Sequence, residues 1–170
     1  MTAAAWAAVV LALAACVFDL RTRRIPNALT FGAAVAGFLF HGLFFGISGF
    51  GVSVAGWAVG LALFLPLFLL RGMGGGDLKL LAALGAWVGP GTVIWVALWS
   101  SVAGGVFALV LALARGYTKQ AFTNVWGLLS YWRVMGMQPN PALTLESAPK
   151  SRLPYALPMA AGLGLALWLR

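Results

Sequence analysis

The chain has 170 residues, 62% hydrophobic and only 8% charged, with a mean hydropathy of +0.97; a soluble domain carries about 25% charged residues, so a soluble globular class is excluded. The formal net charge of +8 raises nucleic acid as a partner, but the basic residues are scattered at the ends of apolar runs, a pattern that membrane topology explains and nucleic-acid binding does not. Cys16 is the single cysteine, which excludes an internal disulfide framework and a cysteine zinc site.

Apolar runs near 20 residues recur along the chain, and that length spans a bilayer as a helix. The expected fold class is therefore all-α: a polytopic membrane helix bundle of about six spans, with 1–170 forming one domain. The first span is expected over 2–18. It contains "LAAC", Leu13 to Cys16, which has the look of a lipoprotein processing site. No Lys or Arg precedes it, so the basic n-region of a signal peptide is missing, and cleavage there would send Arg21, Arg23 and Arg24 outward. Cys16 reads better as a small apolar residue within the span.

"DLRTRRIPN" follows, polar, basic and closed by Pro26 and Asn27, which open a second span over 28–46. "GISGFG" reads as an uncharged turn. The third span is expected over 52–70, with Pro66 as a kink. "RGMGGG" is a loop, and the fourth span, 77–88, is short for a full crossing; it borrows length from the glycine loop or sits in thinned bilayer. "GPG" at 89–91 is a further uncharged turn, and the fifth span covers 92–114.

The long polar stretch runs from 115 to 153, and the sixth span covers 154–169. Within the polar stretch Phe122, Val125, Trp126, Leu129 and Trp132 recur at helical spacing between Lys119 and Arg133. An amphipathic helix is expected there, either in the headgroup region or packed on the bundle ends. Glu146 and the Pro141–Leu143 triplet lie in the remaining polar loop and carry no assigned role.

Ten basic residues fall on one side of this layout: Arg21, Arg23, Arg24, Arg71, Lys79, Arg115, Lys119, Arg133, Lys150 and Arg152. Arg170 falls on the other. The positive-inside bias then makes the ten-residue side cytoplasmic and puts both termini on the opposite side. Asp19 and Asp77 lie at that cytoplasmic face, one closing the first span and one opening the fourth.

Asp and Glu number three in the whole chain: Asp19, Asp77 and Glu146. An ionisable group at a membrane helix is expensive and is a functional candidate by default. Each aspartate also has a plain structural reading: Asp19 as partner of Arg23 or Arg24, Asp77 as a helix cap. Those readings leave Gly74, Gly75 and Gly76 unexplained. Three glycines before an acid let backbone approach closely, and an extended substrate would pair with an open backbone there. No Gly-Lys-Ser/Thr follows, so this is not a phosphate loop.

Two carboxylates within a few ångströms resist joint ionisation and share a proton, which is the basis of aspartyl-protease chemistry and requires no metal or cofactor. Other chemistries lack parts: His41 is isolated from acids, Ser48, Ser53, Ser100 and Ser101 lack a paired base, and Cys16 lacks a histidine. Two rivals stand beside the protease. A proton-coupled transporter uses membrane carboxylates but places them near the midplane, often with inverted repeats. A non-catalytic subunit of a pilus or secretion assembly would not need both aspartates.

"FDLRTRRIPN" with Asp19 and "GMGGGDLKLLAALG" with Asp77 resemble the A24 family of prepilin peptidases, membrane aspartyl proteases with a G-x-G-D signature. Gly74, Gly76 and Asp77 match the signature and Asp19 matches the first catalytic aspartate. Ile25, Pro26 and Asn27 match the "IPN" tail, and Lys79 matches the basic residue two positions after the second aspartate. "LPYALPMAAG" is similar to the stretch opening the family's last helix. The resemblance implies a bacterial inner-membrane enzyme that cuts prepilins or pseudopilins, each with a short basic leader ahead of a hydrophobic helix. This sequence opens directly on a span and lacks paired C-x-x-C motifs, so the resemblance is to the short branch serving Flp/Tad-type pili, with cleavage and no N-methylation expected. Lys79 has two readings, a charge that tunes Asp77 and a cation snorkelling to the interface.

Overall fold

The computed structural model describes residues 2–138 and 154–169. The expectations placed on Pro141–Leu143, Glu146, Lys150, Arg152 and Arg170 lie outside the described residues. Regular structure among the described residues is wholly helical: α1 Ala3–Thr22, α2 Asn27–Leu69, α3 Gly75–Ala114, α4 Thr118–Met135 and α5 Ala156–Trp168. The protein is an all-α membrane helix bundle. α1, α2 and α3 are long and apolar enough to cross a bilayer, and α5 is a shorter apolar helix.

α2 has 43 residues and α3 has 40. At 1.5 Å per residue each would run about 60 Å if straight, roughly twice the hydrocarbon thickness. Neither is straight. The first half of α2 packs parallel to the start of α3: Lys79 Nζ donates to Asn27 Oδ1 at 2.9 Å, and Trp87 Nε1 donates to the Ala33 carbonyl at 2.9 Å. The second half packs on the same stretch of α3 in the opposite direction: Ser53 Oγ donates to the Ala86 carbonyl at 2.6 Å, and Gly60 faces Leu81. α2 therefore folds back on itself, and it does so at Gly46, whose φ of 67° is open to glycine and strained for other residues.

Gly89, with φ 78°, reverses α3 in the same way. Pro90 follows it at the first position of the new helical segment, where a missing N–H costs nothing. The uncharged turns expected over 46–51 and 89–91 thus shrink to one residue each, and the neighbouring residues join the helices. Counting both arms of α2 and α3, the described residues make six helical passes of the bundle.

The first arm of α3, from Gly75 to the bend at Gly89, is the centre of the bundle. Leu80, Leu81, Ala82, Ala83, Leu84 and Ala86 are all fully buried. The short span expected from 77 borrows length from the glycine loop, since α3 begins at Gly75; the other expectation is a thinned bilayer around it. The structure removes that need, because neighbouring helices and not lipid surround it. Small residues permit the enclosure: Gly56 and Gly85 meet backbone to backbone, and a Cβ on either would strike the other's carbonyl. Within a bilayer such close contact replaces the hydrophobic effect as the force between helices. The large apolar side chains on the outside, such as Trp6, Val10, Leu43, Ile47 and Val106, face outward where lipid would lie.

α5 closes the bundle. It runs antiparallel to the second arm of α3, with Gly162 against Ser100 and Tyr155 against Gly104. Its start also reaches the end of α1, where the Ala156 N–H meets Asp19.

Candidate active site

α1 ends on a left-handed residue, Arg23, with φ 52° and ψ 30°, whose backbone N–H donates to the Asp19 carbonyl. That termination leaves the Asp19 side chain on the last turn, pointing inward; the residue is 7% exposed. Its Oδ2 accepts the Ala156 backbone N–H at 3.1 Å. Ala156 is the first residue of α5, so this N–H has no partner within its own helix. A carboxylate there satisfies the donor and meets the positive end of the α5 dipole. The Arg23 charge also acts on Asp19.

Asp77 occupies the third position of α3, after Gly74 as cap and Gly75 and Gly76 in the first turn. Its backbone N–H donates to the Gly74 carbonyl at 3.2 Å, and its carboxylate accepts the Gly74 N–H in return. The carboxylate thus supplies the N3 half of a capping box, and Gly74, having no side chain, supplies no counterpart. A Cβ on Gly74 would stand 3.0 Å from Asp77 Oδ2, so glycine is what allows the carboxylate to fold back over the cap.

Asp19 and Asp77 lie close enough for their charges to interact. Two helices 58 positions apart in sequence thus deliver two carboxylates to one end of the bundle. The remaining residues singled out from sequence assemble around them. A Cβ on Gly76 would come 3.2 Å from Ile25 Cβ, and one on Gly75 would come 3.3 Å from Phe68 Cε2. The triple glycine is therefore a packed first turn of α3 beside its neighbours, in contrast to the open approach anticipated from composition. Pro26 caps α2 with φ −61° and ψ 137°, and its carbonyl accepts from Leu29 and Thr30.

Lys79 is engaged by α2. Its ammonium donates to Asn27 and sits 5.3 Å from the centroid of the Phe31 ring. Residues two apart on a helix do not face each other, which turns Lys79 away from Asp77 and toward α2. The "IPN" segment and the "GGGDLK" segment are in this way joined at two points, Ile25 to Gly76 and Asn27 to Lys79.

Tyr155 is the site residue that sequence reasoning passed over. It precedes α5, and its ring meets Phe64 edge-on at 6.1 Å between centroids. Its hydroxyl lies 3.5 Å from the Ser100 carbonyl and against the Ser101 hydroxyl, near enough to Asp77 for their charges to interact. Its one sequence signal was its place in "LPYALPMAAG". Among the described residues no group of three His, Cys, Asp or Glu is placed to hold a metal ion.

The profile of the type IV leader peptidase family matches residues 6–109, more than half of the chain. The chain belongs to the type IV leader peptidase family. The matched segment contains Asp19, the Ile25–Asn27 turn, Gly74 to Asp77, and Lys79. Among curated proteins the chain is similar to a prepilin leader peptidase/N-methyltransferase of Aeromonas salmonicida (strain A449), 40% identical over 106 residues, covering 58% of this chain and 36% of that protein. A protein of the same name from Pectobacterium carotovorum subsp. carotovorum is 36% identical over 131 residues, covering 69% of this chain and 44% of the relative. Another from Legionella pneumophila is 31% identical over 127 residues, covering 67% and 44%. The chain thus aligns with less than half the length of these type IV leader peptidase relatives. No solved structure matches it.

Proposed function

We propose that this chain is a membrane aspartyl endopeptidase that removes the leader of type IV prepilins, of the Flp/Tad-like class, with Asp19 and Asp77 as its catalytic pair. The observation that carries the reading is the meeting of these two carboxylates, each fixed by a backbone N–H, at one end of an apolar bundle. Membership of the leader peptidase family supports the substrate class.

The chemistry needs one proton shared between the pair. One carboxylate, ionised, takes a proton from water as the water oxygen attacks the scissile carbonyl carbon. The other, protonated, donates to the carbonyl oxygen. Collapse of the tetrahedral intermediate breaks the C–N bond, and the proton taken from water passes to the leaving amine. The Ala156 and Gly74 N–H groups hold the carboxylates in place during this exchange, so little reorganisation accompanies it.

The aspartate end faces the cytoplasm in this reading, in a bacterial inner membrane. Arg21, Arg23, Arg24, Arg71, Lys79, Arg115 and Lys119 cluster at or beyond that end, which supports the orientation through the positive-inside bias. A prepilin then lays its hydrophobic helix in the bilayer and presents the bond just outside it to the pair. These 170 residues hold one cysteine and no C-x-x-C pair, which supports cleavage and not methyl transfer as their activity.

The test is cleavage of a purified prepilin by the purified chain in liposomes, with a methyl donor present and the product terminus read by mass spectrometry. Asp19→Asn and Asp77→Asn, each confirmed in the membrane, are expected to leave the substrate uncut. Substantial turnover by either variant sinks the aspartyl mechanism and restores the transporter and assembly-subunit readings. A methylated product overturns the cleavage-only reading. Accessibility labelling of a cysteine at position 75 from the outer side alone overturns the orientation.

A further inference from the structure

Among the described helices α4 alone has no buried residue. Eighteen residues of helix normally hold their shape in water through one apolar face packed on a neighbour, and isolated helices of this length are marginal. α4 has the face, but among the described residues nothing buries it. Phe122, Val125, Trp126 and Leu129 follow i, i+3, i+4, i+7 spacing and are 68%, 57%, 73% and 53% exposed. The opposite arc carries Gln120 and Asn124, with Thr123 and Ser130 on its flank, and two local bonds add support: Gln120 Nε2 donates to Asn124 Oδ1, and Thr123 Oγ1 to the Lys119 carbonyl.

We propose that α4 lies on the membrane as an interfacial helix, with Phe122, Val125, Trp126 and Leu129 in the acyl boundary of an anionic leaflet. Three features select lipid as the occupant of this face. The first is position: α4 begins at Thr118, immediately after α3 leaves the bundle at Ala114, so its start is tethered at the membrane surface. Gly116, with φ 71°, makes the turn between them. The second is charge: Lys119 and Arg133 border the apolar stripe, Arg115 precedes it, and α4 contains no Asp or Glu. Long basic side chains beside an inserted stripe reach phosphate while their stems stay in apolar surroundings. The third is composition: Trp126 and Phe122 are the side chains best suited to the headgroup boundary, and a stripe of this width matches a helix lying in the plane.

The surface is at the same end of the bundle as Asp19 and Asp77, because the second arm of α3 runs from Gly89 past Tyr155 to reach it. The inference does not depend on the peptidase reading. It assigns a lipid contact whether or not the chain cuts anything.

The experiment uses the full chain with Cys16→Ala, reconstituted in vesicles of phosphatidylglycerol and phosphatidylcholine in equal parts. A nitroxide is attached through Trp126→Cys in one sample, Phe122→Cys in a second and Asn124→Cys in a third. At 122 and 126 the label is expected to collide with oxygen several-fold more than with a water-soluble nickel chelate, and at 124 the order is expected to reverse. Adding Lys119→Glu with Arg133→Glu is expected to raise nickel access at 122 and 126 at least twofold. High nickel access at all three sites overturns the proposal, because the face then points to water. Shielding of 122 and 126 from both reagents overturns it in favour of a protein contact. Dipolar broadening between labels overturns it in favour of a second copy. Unchanged nickel access in the charge-reversed chain overturns the assignment to anionic lipid.

Discussion

The two ends of the bundle are built on opposite principles. At one end the chain turns on single glycines, Gly46 and Gly89, and the surroundings are aromatic and uncharged: Phe40, His41, Phe45 and Trp87 line a cavity of about 600 Å³ with the residues beside Gly89. His41 spends its Nδ1 on the Gly37 carbonyl at 2.9 Å, a local bond within its own helix. At the other end, among the described residues, the connections are longer, and both aspartates, Tyr155 and the Lys79–Asn27 bond are found there. A one-residue reversal exposes little backbone and needs no polar partner. A junction that presents carboxylates needs free N–H groups to hold them, and only helix starts supply those. In the proposed reading the chemistry belongs to the carboxylate end and the glycine end is scaffold.

The largest effect that separates the ends is loss of a carboxylate. Asp19→Asn and Asp77→Asn are each expected to reduce prepilin cleavage by about 10³-fold or more, because asparagine cannot cycle a proton. The double variant is expected to be little worse than either single one, since the pair works as a unit. His41→Gln, at the other end, is expected to stay within about twofold of the parent in the same assay, in line with surface or local changes away from the chemistry. A collapse of cleavage in His41→Gln with unchanged folding would break the division between the ends.

Tyr155→Phe sharpens the carboxylate end. It keeps the ring against Phe64 and Gly104 and removes the hydroxyl. A hydrogen bond of about 1 kcal/mol corresponds to roughly fivefold in rate, so cleavage is expected to fall by that order with membrane yield unchanged. Parent-like rates would restrict Tyr155 to packing.

The scaffold end and its seam respond in stability. Gly56→Val places a branched side chain against the Gly85 carbonyl and is expected to cost about 3 kcal/mol, the upper part of the usual overpacking range, read as lost thermal stability in detergent. Gly46→Ala keeps space, since nothing lies near the site of its Cβ, but forces a positive φ; about 1–2 kcal/mol is expected. Ser53→Ala is the smallest of the three, at about 0.6 kcal/mol, typical of an interhelical hydrogen bond in a membrane. An order in which Ser53→Ala exceeds Gly56→Val would mean that polar bonding and not close packing holds the central span.

Much of the architecture is legible in composition. Apolar run lengths give an all-α bundle, because a bilayer tolerates only internally bonded backbone. The scarcity of acids singles out Asp19 and Asp77, since an ionisable group is costly at a span end and is kept for a reason. Local sequence goes no further than that. "GISGFG" and "GPG" read equally well as several-residue turns or one-residue reversals, and the choice falls to the neighbours. Gly56, Gly60 and Gly85 had no visible role in a linear reading, because a helix–helix seam is a property of two segments together.

From sequence alone, then, come the membrane class, the two acids and the family signature. Tertiary structure decided the rest. It wrapped the short span from Gly75 to Gly89 in protein, because small residues on α2 let the helices close around it. It set the α5 N-terminus on Asp19, an encounter across 137 positions that no local pattern encodes. It turned Lys79 toward Asn27 and brought Tyr155 beside Asp77. Each of these rests on an unsatisfied donor or an empty groove finding its complement on a distant segment, and such a match exists only once the helices have packed.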